Sequence, residues 1–290
     1  MNPKVTLNHA NPQIQNARTM GIMLVHSPIK PILETDIRLA SKIGASFAEI
    51  LPRWNQLPSA TEITKKVRDA GLSIWSVHGP WGGQSIEAVR VDLADLNPRL
   101  RQESVDDLLR ALDWSSKLDA QVLVVHPGGV SKPEEKSRRT DVLTRSLERL
   151  AIEAQSRNMR IGLENMPAGV FPGSQMADLA AIVRHLDQAS LGLVMDTGHA
   201  QISGNIRQET LAAKNLLIST HVHDNNGSAD SHRPPGDGLI DWPAWFASLN
   251  EIQYQGPIML ECVKALREMP DGPPPEWIDW WHSIIQNSSL

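Results

Sequence analysis

The sequence predicts an α/β fold, a single domain in which eight parallel strands close into a (β/α)8 barrel. Three observations predict it. Short apolar runs alternate strictly with longer, helix-patterned stretches, eight of each. The 290 residues suit one barrel, which typically takes about 250. No Pro/Gly/Ser linker, short-period repeat or low-complexity tract divides the chain. A doubly wound open sheet is the alternative, but no Gly-x-Gly-x-x-Gly follows the first strand. The whole chain, 1–290, reads as one domain, with 1–19 as an N-terminal extension and the barrel from about 20 to 290.

In chain order, the strand at 21–25 precedes a helix at 34–43, and 47–51 precedes 62–70. Strand 73–77 leads to helix 100–118, and 121–125 leads to the long helix 134–156. That helix keeps Leu143, Leu147, Leu150 and Ala154 on a stripe beside Arg145, Glu148, Arg149 and Glu153. Strand 160–163 precedes helix 176–186, 191–195 precedes 208–214, and 217–222 precedes 242–250. The last strand, 257–260, is separated by the Pro-rich DGPPPEW from a helix at 275–285. Trp277, Trp280 and Trp281 share one face of it, for packing on the barrel or, failing that, for a homo-oligomer interface.

Composition narrows the classes. Hydrophobic residues are 41% and charged residues 21%, enough for a sizeable core. The net charge of −5 argues against a protein held on nucleic acid by bulk charge. Runs such as 122–125 fall far short of the ~18 apolar residues of a membrane helix. The start, MNPKVTLNHANPQ, lacks the apolar core of a signal peptide. Cys262 is the single cysteine, so neither an internal disulfide nor a cysteine zinc site is available. A cytoplasmic protein with no membrane association is expected.

The polar residues carry the chemistry. His26, His78, His126, His199, His221, His223 and His232 fall at or just after the C-terminal ends of predicted strands, whereas His9, His185 and His282 lie elsewhere. Glu164, Asp196 and Glu261 also end strands. In a barrel these ends meet at one mouth, where such enzymes keep their active sites. Packing alone gives no reason to gather them, because unpaired buried charge is costly. Imidazole mixed with carboxylate suits Zn²⁺, Mn²⁺, Fe²⁺ or Co²⁺. Asp196-Thr-Gly-His199 and Asp230-Ser-His232 place two ligand types close together. His221-Val-His223 puts two imidazoles on one side of the seventh strand. Spacing alone does not give the number of ions.

Other positions are read more plainly. His26 is a loop residue. Lys132, Lys136, Arg138 and Arg139, interleaved with Glu134 and Glu135, are the solvated start of a helix. Asp224 caps a segment or hydrogen-bonds a ligand. Gly236 and Gly238 shape the loop that carries His232. Trp81 and Trp54 are candidates to cover a substrate, with His223 and Arg233 as further candidate substrate-binding residues; His223 is also a candidate to orient a metal ligand or a carboxylate from behind.

Taken together, SVHGPW (His78), VVHPGG (His126), GLENMP (Glu164), MDTGHA (Asp196, His199), THVHDNNG (His221), ADSHRPPGDG (Asp230, His232) and IMLEC (Glu261) resemble the xylose-isomerase-like TIM-barrel superfamily. That superfamily contains endonuclease IV and many sugar and sugar-phosphate isomerases and epimerases. The resemblance runs from about the second strand to the eighth. The endonuclease IV pattern implies three ions: one on His78, His126 and Glu164; one on Glu164, Asp196, His221 and Glu261; one on His199, Asp230 and His232. The epimerase pattern implies one Mn-type ion on Glu164, Asp196, His221 and Glu261, with Glu164 and Glu261 as the catalytic proton-transfer pair. Epimerases usually carry an Arg at the position of His232. The expected protein is thus a divalent-metal-dependent isomerase or epimerase, with Zn or Mn in one to three sites, acting on a small polyhydroxylated substrate: a sugar, sugar phosphate or related polyol. An endonuclease IV-like phosphodiesterase on abasic DNA is the alternative, and the only reading with a nucleic-acid partner. A non-catalytic metal- or ligand-binding barrel is the third.

Overall fold

A computed structural model describes residues 18–287. The N-terminal extension up to residue 17, with His9, lies outside the described residues. Eight parallel strands form one sheet: β1 (Met20–Val25), β2 (Phe47–Leu51), β3 (Ser73–His78), β4 (Val122–Val125), β5 (Arg160–Glu164), β6 (Leu191–Asp196), β7 (Leu217–His221) and β8 (Ile258–Leu260). Their order is β7-β6-β5-β4-β3-β2-β1-β8. The ends meet through the backbone of Val222, whose N–H donates to Met259 O at 2.8 Å and whose carbonyl accepts from Glu261 N at 3.0 Å. The barrel is closed at its mouth by these two bonds.

The helices form the outer ring: α1 (Ile32–Lys42), α2 (Ala60–Asp69), α3 (Pro98–Ser116), α4 (Lys136–Ser156), α5 (Met176–Leu186), α6 (Thr197–Ser203), α7 (Ile206–Ala213), α8 (Trp242–Glu251), α9 (Val263–Glu268) and α10 (Pro275–Asn287). Sequence chemistry sets their starts. Asn97 caps α3 ahead of Pro98, and the Asp241 side chain accepts from Ala244 N at α8. Helix α4 buries Leu143, Leu147, Leu150 and Ala154, as its stripe requires. Two short helices, α6 and α9, were not expected, because each is too short to show a period. Asp196 starts the first: its carboxylate caps α6 at His199 N. On α10, Trp281 is fully buried, Trp277 donates to Pro235 O at 2.8 Å and Trp280 stays half exposed.

Strand register decides what fills the barrel. Met23 pairs with Glu49 and Val25 with Leu51; Ser76 pairs with Val122 and His78 with Val124; Glu164 pairs with Val194 and Asp196 with His221. Residues in register share a face, so these point inward. At the lower end Phe47 and Trp75 meet edge to face at 5.5 Å, with the Arg160 guanidinium 5.9 Å from the Trp75 ring. Gly162 and Gly192 leave room there: a Cβ would sit 2.6 Å from Val194 Cγ2 and from Ile218 Cγ2 respectively. Ionisable groups therefore dominate only the upper end of the barrel.

Candidate metal centre

Six of the eight upper strand ends each deliver one side chain. His78 comes from β3, His126 follows β4, Glu164 ends β5, Asp196 ends β6, His221 ends β7 and Glu261 follows β8. Besides two further sets, one of His78, His221 and Glu261 and one of His223, His232 and Glu261, two donor sets converge on Glu164, each with its atoms within 4.8 Å of one another: His78, His126 and Glu164; and Glu164, Asp196, His221 and Glu261. Donors at 2.0–2.2 Å from one ion lie no more than about 4.4 Å apart, so each set is close to the required spread. Glu164 belongs to both. Its Oε2 is buried without a hydrogen-bond donor, and the nearest groups are His126 Nε2 at 3.1 Å and His78 Nε2 at 3.8 Å. A buried carboxylate oxygen facing two imidazole nitrogens suits a shared cation. The residues present fit one ion in each set.

The protonation of His78, Glu164 and Asp196 agrees with ligand roles, and His221 would give up a proton to an ion. His78 Nδ1 donates to Gly79 O at 2.9 Å, which leaves Nε2 for the centre. Burial, reinforced by the His126 ring, pushes the His78 pKa down, keeping it neutral. Burial alone would raise the Glu164 carboxyl, but His221 and His126 outweigh it and hold it well below the usual range. Asp196 is held at about 2 against burial by His199 and His223. Three carboxylates, Glu261 foremost, override burial and raise His221 well above its ordinary value. These opposite charges compensate one another within the buried cluster.

The third expected set does not converge. His199 Nε2 and His232 Nε2 approach the same Asp230 oxygen at 3.3 and 3.2 Å. Against burial, the Asp196 charge raises His199 to about 10, and Asp230 raises His232 to about 9. His223 stands between the carboxylates, its Nε2 3.0 Å from Asp196 Oδ2 and 3.6 Å from Asp230 Oδ1, and its ring stacks on His232 at 3.9 Å. A Cβ on Gly198 would lie 1.9 Å from His223 Cε1, so that glycine makes the space His223 fills.

Other expectations are corrected here. His223 is fully buried and is not among the residues that line the cavity; its Nε2 faces Asp196 at 3.0 Å, the place of a residue that orients a carboxylate rather than of one that binds substrate. Trp54 is likewise buried, packed edge to face on Trp114 at 5.6 Å, because its strand end turns outward under α3. Arg233 is exposed and donates to Asp237 O, away from the cavity. Arg139 is no solvated helix start. Its Nη2 reaches both Asp92 oxygens at 3.1 and 3.0 Å, and its Nε donates to Phe171 O. This buried pair ties the loop after β3 to α4.

Trp81, by contrast, lines a cavity of about 700 Å³ above the donors, its ring edge to face with His78 at 4.8 Å. Met23, Val25 and Leu51 form its apolar wall, and Arg90 and Lys264 also line it. Glu49 was missed altogether. It is fully buried in β2, with Oε1 2.9 Å from His221 Nε2. The signal was present: a glutamate in step with Phe47 and Leu51, inside the apolar run FAEIL of a strand buried on both faces.

Fold and site together define a (β/α)8 barrel with a histidine–carboxylate centre at its C-terminal mouth. The chain belongs to the xylose isomerase-like TIM barrel family, whose description matches residues 37–282. It is 35% identical over 190 residues to the uncharacterized protein MJ1311 of Methanocaldococcus jannaschii, covering 60% of this chain and 63% of that one. A probable endonuclease 4 of Thermoplasma acidophilum is 25% identical over 67% of this chain and 70% of its own length. The L-ribulose-5-phosphate 3-epimerase UlaE of Escherichia coli is 22% identical over 92% and 87%. Among solved structures, a D-tagatose 3-epimerase-like protein superposes with a TM-score of 0.73 at 24% identity, over 93% of this chain and 100% of that one.

Proposed function

We propose that the protein is a divalent-metal-dependent isomerase or epimerase acting on a sugar, sugar phosphate or related polyol. One observation carries the reading: Glu164 and Glu261 stand in one donor set with Asp196 and His221, at the base of a cavity of about 700 Å³ that both glutamates line. A divalent ion held by that set, Zn or Mn by its donor chemistry, would polarise adjacent carbonyl and hydroxyl oxygens of a substrate and acidify the C–H between them. Glu164 and Glu261, from well-separated strands, then supply the proton transfers. One carboxylate takes the proton, the electron pair spreads into the carbonyl, and the other carboxylate returns a proton to the carbon's opposite face. Trp81 covers the sugar's apolar face, and the wall of Met23, Val25 and Leu51 excludes water. The names of similar proteins, epimerases among them, support this direction.

The test is a panel of ketoses and their phosphates offered to stripped and reloaded protein in heavy water. Metal-dependent epimer formation, with deuterium taken up at the reacting carbon, is expected. A second reading, phosphodiester hydrolysis at abasic DNA, is favoured by the set His78, His126 and Glu164, which a single-ion epimerase does not need. Efficient metal-dependent incision of an abasic duplex, with no exchange on any sugar, would move the protein to that branch.

A further inference from the structure

We infer that Glu49 is a positioning residue of the metal centre: its carboxylate fixes the ring and tautomer of His221, so that Nδ1 is the atom offered to an ion. The inference rests on reading Glu164, Asp196, His221 and Glu261 as the ion-holding set. Glu49 lies on β2, outside that set, wholly buried inside the barrel. Its Oε1 is 2.9 Å from His221 Nε2, a charged contact between two buried atoms that have no other hydrogen-bond partner, and its Oε2 accepts the Ser76 hydroxyl at 2.5 Å. No lysine or arginine is paired with it among the described residues, so the imidazole is its electrostatic partner. A carboxylate buried this deeply is expensive unless it is compensated. Ordinary packing at the site would be met by an apolar residue such as its register neighbour Met23.

The tautomer follows from donor and acceptor counting. A neutral imidazole has one N–H and one lone pair, and an ion takes the lone pair. Both ring nitrogens face carboxylate oxygens, but only Glu49 lies outside the ion-holding set: an ion held by that set takes the lone pair of Nδ1, which leaves the hydrogen on Nε2, toward Glu49. The lone pair then sits on Nδ1, which faces Glu164 Oε1 at 2.9 Å and Glu261 Oε2 at 3.2 Å. His78 is fixed the opposite way by the carbonyl of Gly79, which holds Nδ1–H and turns Nε2 to the centre. The two rings stack at 5.6 Å, nearly parallel. Each is steered from its far side by an acceptor that touches no ion, the arrangement that sets ligand basicity and orientation in metal sites. Ser76 completes the device by holding the second oxygen of Glu49, so the carboxylate cannot rotate away.

The experiment uses the full chain loaded with Zn²⁺. Long-range proton–nitrogen spectra of the ring-labelled protein should show His221 protonated at Nε2. In E49Q, competition against a chelating dye should show Zn²⁺ bound about 10–100-fold more weakly, with the melting temperature of the metal-free protein unchanged or higher. S76A should move the affinity the same way by less. A purely structural glutamate would do the reverse, lowering the metal-free melting temperature and leaving Zn²⁺ affinity intact, and that result would overturn the inference. His221 protonated at Nδ1 in the Zn²⁺ form would also overturn it, and this reading needs no variant to fold. Wild-type protein that binds no divalent ion would overturn the metal centre itself, a different outcome from the failure of Glu49 alone.

Discussion

Glu261 is the residue on which the proposed chemistry is most exposed to test. It lines the cavity, follows β8 directly and shares a donor set with Glu164, Asp196 and His221. E261Q keeps the volume but removes the charge of a ligand and proton carrier, so turnover should vanish while circular dichroism and melting stay near wild type. Full turnover in E261Q, or activity that survives exhaustive chelation, would remove both its roles. Its neighbour Cys262 behaves oppositely. It is fully buried, and burial pushes its thiol well above the ordinary value, helped by the charge of Glu261. The thiol should resist alkylation at neutral pH in the native protein and react only on unfolding; rapid native labelling would contradict the burial.

Among the elements, the loop between β7 and α8 bears on how many ions the proposed centre would hold. Asp224 pins that loop, its Oδ2 accepting from Gly236 N and Trp242 Nε1, both at 3.0 Å, and its Oδ1 accepting from Ile240 N. So held, the loop brings Asp230 and His232 over the centre, yet with His223 lodged between Asp196 and Asp230 rather than an open position. Metal analysis after equilibrium dialysis should therefore find two ions per chain, and H232A should leave that count at two. Three ions, or a loss of one in H232A, would restore the third set. On the far side, Arg139 and Asp92 join the loop after β3 to α4 with each side chain 7% exposed. R139A leaves the Asp92 charge buried without its partner, which should cost about 3–5 kcal/mol in chemical denaturation. A change under about 1 kcal/mol would mean that the pair is dispensable.

At the scale of the whole molecule, charge balance bears on the substrate. Glu164, Asp230 and Glu261 line the cavity, with Asp196 and Glu49 buried beneath them, and two dications would offset four of those five carboxylate charges. Arg90 and Lys264 line the cavity as well, and they give a phosphate group somewhere to sit. For a phosphorylated ketose, R90A with K264A should raise KM about a hundredfold or more while the free sugar is little affected, since each lost charged contact is worth roughly 1.5–3 kcal/mol. Equal effects on both substrates would place the phosphate elsewhere, or show that none is bound. No helix among the described residues is long and apolar enough to cross a membrane.

The sequence by itself determined the barrel and the strand ends at which most of the candidate donors stand. Strand and helix periods are local, and every barrel strand ends at the same mouth, so a histidine or carboxylate at a strand end is placed before any contact is known. His78, His126, Glu164, Asp196, His221 and Glu261 were legible for that reason. Tertiary structure decided what depends on distance between elements. Glu49 became part of the site only because register sets β2 beside β3 and aims it across the barrel at His221. His223 left the substrate side because packing buries it against Asp196. Trp54 went into the core beneath α3, and Arg139 found Asp92 across 47 positions of sequence. Side-chain alternation and strand ends are written in the local chain, whereas the partner of a buried charge is chosen by packing, which no local pattern encodes.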